Sequence, residues 1–348
     1  MDYKGKLSDD VTIFDVANEA GVSYSTVSRV INNKAHVAAD KRDRVLRAIA
    51  ELGYVANIQA RTLAGGRSHI VGLLVHALNT SYMGEIVKGI DNELDKVHYD
   101  LMLYTTHRRK TKESAYVAKL TRNLADGLLL VLPRNEEAYL SALRQRRFPH
   151  VLVDYQGINQ NVPSVGTTNE KGSYEATSYL IELGHRRIGF ITGAMDLGCA
   201  QERLVGYKNA LAKHGLPASP ELIREGDFLQ PQGYNCAKTL LSLPEPPTAI
   251  FASNDISAFG VMEAVRDQGL QIPKDISIIG FDDIPQTEHV HPPLTTVRQP
   301  LEQMGSIAAR LLLDYIKNPD SPVQRVELPT ELIIRQSCQA PYQILSMS

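Results

Sequence analysis

The sequence predicts an all-α helix-turn-helix head at the N-terminus, followed by an α/β body of two doubly wound parallel-sheet lobes. Three observations lead there. Two short amphipathic segments joined by a turn around "GVS" lie near the start of the chain. From residue 69 onward, short apolar runs alternate with helical patterns, the mark of βαβ units. The length of 348 residues, with 43% hydrophobic and 22% charged, suits a soluble globular protein of two or three domains.

The head starts with "VTIFDVANEAG", in which Thr12 is placed to cap a helix and Asp15, three residues on, completes a variant capping box. Ile13, Val16, Ala17 and Ala20 form its buried stripe, and Gly21 supplies the permissive backbone that ends it. Ser23 then caps a second helix, "YSTVSRVIN". Val27, Val30 and Ile31 bury one stripe of this helix and leave Tyr24, Ser25, Ser28 and Arg29 on the opposite face. In the third helix, "DKRDRVLRAIAELG", Val45, Leu46, Ile49 and Leu52 are expected to face inward, with Gly53 as the stop. Three such helices make a mini-core of roughly 50 residues, near the lower limit for independent stability.

The net charge of −2 argues against a uniformly basic coat for nucleic acid. Between Arg29 and Arg67, however, eight bases stand against three acids, a local +5. On charge alone a solvated helix would look the same. In a helix-turn-helix the second helix enters the major groove with its N-terminal residues at base edges. Tyr24, Ser25 and Arg29 are therefore candidate base readers, arginine being suited to bidentate contact with guanine. Ser28, Asn32 and Lys34 are candidates for phosphate contact, which positions the head without reading sequence. The alternative is a small helical bundle with an incidental polar face.

In the body, "HIVGLLV", "DLMLYT", "GLLLVL", "HVLVD", "RIGFITG", "TAIFAS" and "ISIIGFD" read as strands, separated by segments such as "GEIVKGIDNELDKV" and "ERLVGYKNALAKHG". Open α/β sheets bind ligands beyond the carboxyl ends of their strands. The residues that follow these strands are "HALNTSYM", "TTHRR", Asp154 with Tyr155, Asn254 with Asp255, and Asp282 with Asp283. Carboxylates, amides and aromatics in that mixture suit a sugar, whose hydroxyls pair with polar groups while its apolar face stacks on a ring. Each Asp or Asn could equally cap the helix that follows it. His107 either reaches the cleft or sits on the surface.

Several function classes are disfavoured. Three cysteines are an odd number and lack metal-ligand spacing, which argues against a disulfide scaffold or zinc site and fits a reducing cytoplasm. No apolar run reaches the ~18 residues of a membrane span, and no signal peptide is expected at the polar "MDYKGKLSDD". No G-x-G-x-x-G follows a strand, and Walker, H-E-x-x-H and G-x-S-x-G motifs are absent. Adjacent Asp282 and Asp283 should diverge, poor geometry for an acid–base pair. An α/β-fold enzyme would leave the head unexplained, and a stand-alone sugar-binding protein should lack it. No enzyme activity, cofactor or metal is expected.

"VTIFDVANEAGVSYSTVSRVINN" followed by "LGYVANIQARTLAGGRS" resembles the LacI/GalR family of bacterial transcription regulators, and the likeness runs over nearly the whole chain. The resemblance implies base-reading roles for Tyr24, Ser25 and Arg29, and a hinge helix over Asn57 to Ala64 that forms on operator binding. Leu63 matches the leucine that such hinges wedge into the minor groove, and Ala60 and Ala64 match the small neighbours that let two hinges pack. Ala56 stands where a proline is common, so a less rigid hinge entry is expected. Ala38 replaces the usual hydroxyl cap of the third helix, a loss of about 1 kcal/mol.

For the body, the resemblance implies a fold similar to periplasmic sugar-binding proteins, two lobes joined by three crossovers with an effector in the cleft. The divisions expected are 10–56 for the DNA-binding domain and 57–68 for the hinge. The N-terminal lobe takes 69–165 with 297–325, and the C-terminal lobe 166–296 with 326–343. By motif, Asp282 and Arg203 are the ligand-binding carboxylate and arginine, Asn254 and Asp154 are further contacts, Phe228 is the aromatic platform, and Tyr82 and Met83 close the other wall. Purine-binding members carry arginine and threonine where this chain has Leu197 and Cys199, and Val131 replaces a polar residue of some β-galactoside binders. A mono- or disaccharide is thus the expected effector. The chain is expected to act in the cytoplasm as a homodimeric repressor on pseudo-palindromic double-stranded operator DNA, with no membrane partner. The tail "QAPYQILSMS" has no leucine heptad for tetramers.

Overall fold

The computed structural model describes residues 11–31, 37–54 and 67–341, except 79, 123, 135 and 156–160. Head and body are separate compact units that meet in sequence at Ser68 and His69.

The head holds α1 (Ile13–Glu19), α2 (Tyr24–Ile31) and α3 (Ala39–Leu52). Thr12 and Asp15 form the capping box: the Asp15 amide donates to Thr12 Oγ1, while the Thr12 amide donates to Asp15 Oδ2 at 2.8 Å. The Ser23 hydroxyl caps α2 by accepting from the Thr26 amide at 3.3 Å. Gly53 ends α3 at φ +61, and Ala38 offers α3 no side-chain cap. Val16, Ala17, Ala20, Val27, Val30, Val45 and Ala48 form the mini-core, with Ile13, Ile31, Ile49 and Leu52 packed against it. Leu46 does not join them. It is 51% exposed, one residue and hence about 100° off the buried stripe, where Ala48 takes the inward position instead.

The body begins with β1 (Ile70–Val75), α4 (Ser81–Asp95), β2 (Asp100–Thr105), α5 (Lys110–Leu120), β3 (Gly127–Val131), α6 (Glu137–Gln145), β4 (His150–Val153) and β5 (Ser164–Thr167). It continues with α7 (Asn169–Glu182), β6 (Ile188–Ile191), α8 (Gly198–Lys213), β7 (Ile223–Arg224), α9 (Gln230–Leu241), β8 (Ala249–Ala252), α10 (Asp255–Asp267) and β9 (Ser277–Asp282). Last come β10 (Thr295–Arg298), α11 (Leu301–Lys317), β11 (Arg325–Leu328) and β12 (Glu331–Ile333).

Two six-stranded sheets result, ordered β11-β5-β4-β3-β1-β2 and β12-β10-β9-β8-β6-β7. The pairings are parallel except β10 with β12. Central strands such as β1 and β9 are buried along their whole length because helices cover both faces. The chain leaves the first sheet after Thr167, leaves the second after Arg298, and crosses once more after Leu328. Each crossing falls slightly beyond the division expected from the sequence, because those divisions ignored the short polar strands β5, β10 and β11.

Helix α11 returns to the first lobe, where Met304, Ala308 and Leu312 pack among Leu73, Leu129 and Val151. It crosses α4 closely: a Cβ on Gly89 would lie 2.0 Å from the Glu302 carbonyl oxygen, and one on Gly305 2.1 Å from that of Ile86. Only glycine fits at either point. The same core reaches Leu197, Cys199 and Ile284 of the second lobe, so the lobes share apolar contact beside the cleft.

Candidate functional site

On the head, Tyr24, Ser25 and Arg29 are all exposed on α2, and Ser28 is half-buried. The structure therefore presents the three base-reading candidates on one helix, Tyr24 and Ser25 in its first turn and Arg29 in its last. Tyr24 is not alone: its ring stacks on Phe14 with centroids 5.3 Å apart and planes at 21°. Both rings stay exposed, Tyr24 at 43% and Phe14 at 61%. Phe14 escaped the sequence reading. Its signal was a large aromatic on the outward face of α1, where a solvated helix would carry a polar group. Asn32 and Lys34, and the hinge residues Asn57, Ala60, Leu63 and Ala64, lie outside the described residues.

In the body, loops at the carboxyl ends of both sheets line a cleft, the place where open α/β sheets bind ligands. Tyr82, Asp154, Arg203, Phe228, Asn254 and Asp282 all line it. Three of them depart from ordinary backbone: φ is +52 at Asp154, +67 at Phe228 and +116 at Asp282. Non-glycine residues held there are strained, and such strain gathers at ligand sites. The Phe228 ring lies over Gly193, where any Cβ would meet it at 1.8 Å.

Arg203 organises the second-lobe wall. Its Nε donates to Asn169 Oδ1 at 2.9 Å and its Nη1 to the Ser253 carbonyl at 2.6 Å. Its guanidinium stacks on Phe281 at 3.8 Å and lies 5.7 Å from the Phe228 ring centroid. Burial works against its charge, but Asp282 leads the groups that hold its pKa above the ordinary value. Asp282 Oδ1 also accepts from Gln299 Nε2 at 2.7 Å, and Gln299 in turn accepts from Thr167 Oγ1 at 2.6 Å. Burial raises the Asp282 pKa, with Arg203 opposing it.

On the facing wall the Tyr82 hydroxyl donates to Asp154 Oδ2 at 2.5 Å. Asp154 Oδ1 is buried and, among the described residues, has no hydrogen-bond partner. Burial raises this carboxyl too, again with Arg203 opposing. An unsatisfied buried acceptor costs about 1–3 kcal/mol, so this oxygen is the most direct sign of a ligand donor.

Asn254 lines the cleft and also caps α10, its Oδ1 accepting from the Ser257 amide at 2.9 Å while its Nδ2 donates to the Phe228 carbonyl. Asp283 turns away from Asp282, pairing with Arg298 and Arg335 at 2.7 Å each. The two carboxylates thus serve different partners. Met83 is corrected: it is fully buried in the first-lobe core, one helical step round from Tyr82, and forms no wall of the cleft. His107 is exposed beside Thr105, while its neighbour Arg108 enters the cleft. Arg134 was missed, whereas His76 and Arg108 lie in the strand-end stretches "HALNTSYM" and "TTHRR" without having been singled out. Leu132, Leu197 and Cys199 supply apolar lining.

Among the described residues no cluster of His, Cys, Asp or Glu is set to hold a metal, and no helix is long and apolar enough to cross a membrane. The arrangement of acceptors, a buried arginine and a ring face can bind a hydroxyl-rich ligand and fix its orientation.

The chain resembles known proteins along nearly its full length. Residues 177–338 match the periplasmic binding protein-like domain, and residues 12–57 match the family described as bacterial regulatory proteins, lacI family. The HTH-type transcriptional repressor PurR of Haemophilus influenzae is 36% identical over 333 residues, which cover 94% of this chain and 99% of that protein. A structure of the transcriptional regulator CelR in complex with cellobiose has a TM-score of 0.73 at 34% identity, covering 94% of this chain and 99% of the other. The lac repressor dimer bound to operator and the anti-inducer ONPF has a TM-score of 0.84 at 29% identity, covering 95% of this chain and all of that one. On this evidence the chain belongs to the lacI family of bacterial regulatory proteins.

Proposed function

We propose that the protein is a sequence-specific transcriptional repressor whose operator affinity is set by a carbohydrate bound between its two body lobes. The observation that carries the ligand half is the convergence of Asp154, Arg203 and Asp282 from both lobes on one cleft, with Asp154 Oδ1 lacking a partner among the described residues. The DNA half rests on the capped α2 with Tyr24, Ser25 and Arg29 exposed. Relatives support both halves, since one similar structure holds cellobiose and another is a dimer on operator.

One head offers too little surface for high affinity, so two copies reading a pseudo-palindrome are part of the proposal. Ser28, Asn32 and Lys34 contact phosphates, and the hinge segment with Asn57, Ala60, Leu63 and Ala64 seats Leu63 in the minor groove. Tyr82, Phe228 and Asn254 complete the sugar site. Ligand biases the lobes toward one of two arrangements, and through the hinge alters operator affinity. A coupling of about 1–3 kcal/mol would change that affinity by roughly 5–150-fold. Such a protein works where the chromosome is, in the cytoplasm, as a regulator with no catalytic step.

Selection of genomic fragments on the full chain, followed by melting with a panel of mono- and disaccharides, tests this. A palindromic consensus and a melting rise with a sugar are expected. Binding to all fragments alike would remove the regulator.

A further inference from the structure

Four strand ends of the first sheet carry the cleft's first-lobe wall, and their order matters. Along the sheet they run β4, β3, β1, β2, and the residues they deliver are Asp154, Arg134, His76 and Arg108 in that sequence. Neighbouring strands are about 4.8 Å apart, so three adjacent ends bring two guanidiniums and an imidazole to one side of Asp154.

Two carboxylates, Asp196 and Asp227, stand near that charge without satisfying its buried donors. Arg134 is only 12% exposed, and its Nη1 reaches Asp196 Oδ2 of the second lobe at 3.3 Å. Its buried Nε has no partner among the described residues, and neither has Nδ1 of His76. Arg108 Nη1 meets the Asp227 main-chain carbonyl at 2.9 Å, while the Asp227 carboxylate is occupied by the Leu229 amide. Glu113 is turned to the backbone amide of Arg134 and to Tyr139. Burial, and after it the positive charge of Arg134, lowers the Arg108 pKa; burial likewise lowers that of His76, followed by both arginines. Asp196 pairs with Arg134 and Asp227 works to raise the Arg108 pKa, yet the buried Arg134 Nε and His76 Nδ1 keep no partner among the described residues. A neutral sugar would be served by Asp154, Arg203 and Asp282 and would leave this corner unsatisfied.

We infer that the ligand of the cleft is a carbohydrate bearing an anionic group, a phosphate or a carboxylate, seated on Arg108, Arg134 and His76. The inference rests on the sugar-binding reading of the same site and narrows its chemistry. The guanidiniums give planar, bidentate donors to either oxyanion, and neutral His76 supplies a further N–H. Because Arg134 and Arg108 also hold second-lobe groups, an anion there would bridge the lobes at their outer ends.

Calorimetric titration of the full chain with matched ligands decides it: ribose against ribose 5-phosphate, and glucose against glucose 6-phosphate, glucuronate and gluconate. An anionic member binding tenfold or more tightly than its neutral parent is expected, and the comparison of phosphate with carboxylate identifies the group. Arg134→Gln and Arg108→Gln should each shrink that preference by about tenfold, the worth of one charge-assisted contact. Arg134→Lys should restore part of it, and circular dichroism of each variant verifies folding. Neutral parents binding as tightly as their anionic partners would overturn the inference while leaving the sugar site standing. No binding by any carbohydrate, neutral or charged, would remove the sugar site itself and the inference with it.

Discussion

Arg203 Nη1 lies 3.5 Å from Asp282 Oδ1, with the two side chains only 2% and 4% exposed. One comes from α8 and the other from the end of β9, so the pair ties helix to sheet at the floor of the cleft. Substituting Asp282→Asn keeps an acceptor for Gln299 but strands the arginine charge. We expect a loss of about 3 kcal/mol in urea unfolding, the low end for a broken buried pair because Asn169 and Ser253 still hold Arg203. Sugar binding should fall a hundredfold or more while isolated DNA contacts persist. Wild-type effector response would exclude Asp282 from the site.

Tyr82→Phe removes the donor to Asp154 Oδ2 and leaves that carboxyl with neither oxygen satisfied among the described residues. A stability loss of about 1–2 kcal/mol and a tenfold or greater weakening of sugar binding should follow. Denaturant curves and titration calorimetry read both. An unchanged affinity would mean that Asp154 does not face the ligand.

Arg29→Ala should lower affinity for the selected operator by about 1–3 kcal/mol and relax the sequence preference at one position. Competition by random DNA should change far less. Equal losses on both would assign Arg29 to the phosphates.

Phe14→Ala tests the aromatic pair. Phe14 is exposed, so thermal stability should barely move, yet Tyr24 loses the ring that holds it 5.3 Å away. Operator affinity should fall up to tenfold, in line with the roughly 0.5–1.5 kcal/mol of such pairs. Operator binding at wild-type strength would leave the stack without a role.

His76 gives a pH signature. Burial lowers its pKa from 6.5 to about 4, so between these values the unfolded chain binds the extra proton. Its contribution favours the fold above pH 6.5 and is lost as pH falls toward 4. The stability gap between wild type and His76→Gln should therefore narrow, or reverse in favour of the variant, on acidification through that window. A pH-independent gap would show that His76 is not buried as described.

Much of this was legible in the sequence because it depends on local chemistry. Thr12, Ser23 and Gly53 mark helix ends through their own hydrogen bonds or φ, and the seven apolar runs became strands because burial on both faces demands such runs. Cleft residues followed from the rule that ligands sit beyond strand ends. Strands such as "SVGT", "TTVR" and "RVEL" were not legible. They are short, rich in hydroxyls and charges, and become strands only because a neighbour offers a ladder. Met83 and Leu46 each sit one helical step from a correctly read neighbour, where a 100° error exchanges inside for outside. Arg108, Arg134 and His76 stayed hidden as a group because they are far apart in sequence, and only the order β3-β1-β2 makes them adjacent.

The measurement that bears most directly on the account is operator affinity of the full chain, by fluorescence anisotropy, with and without a saturating carbohydrate. Wild type should shift by fivefold or more, and Asp282→Asn should bind the same operator with no shift. An affinity untouched by every carbohydrate that binds the body, or a shift that survives in Asp282→Asn, would contradict control of DNA binding through this cleft.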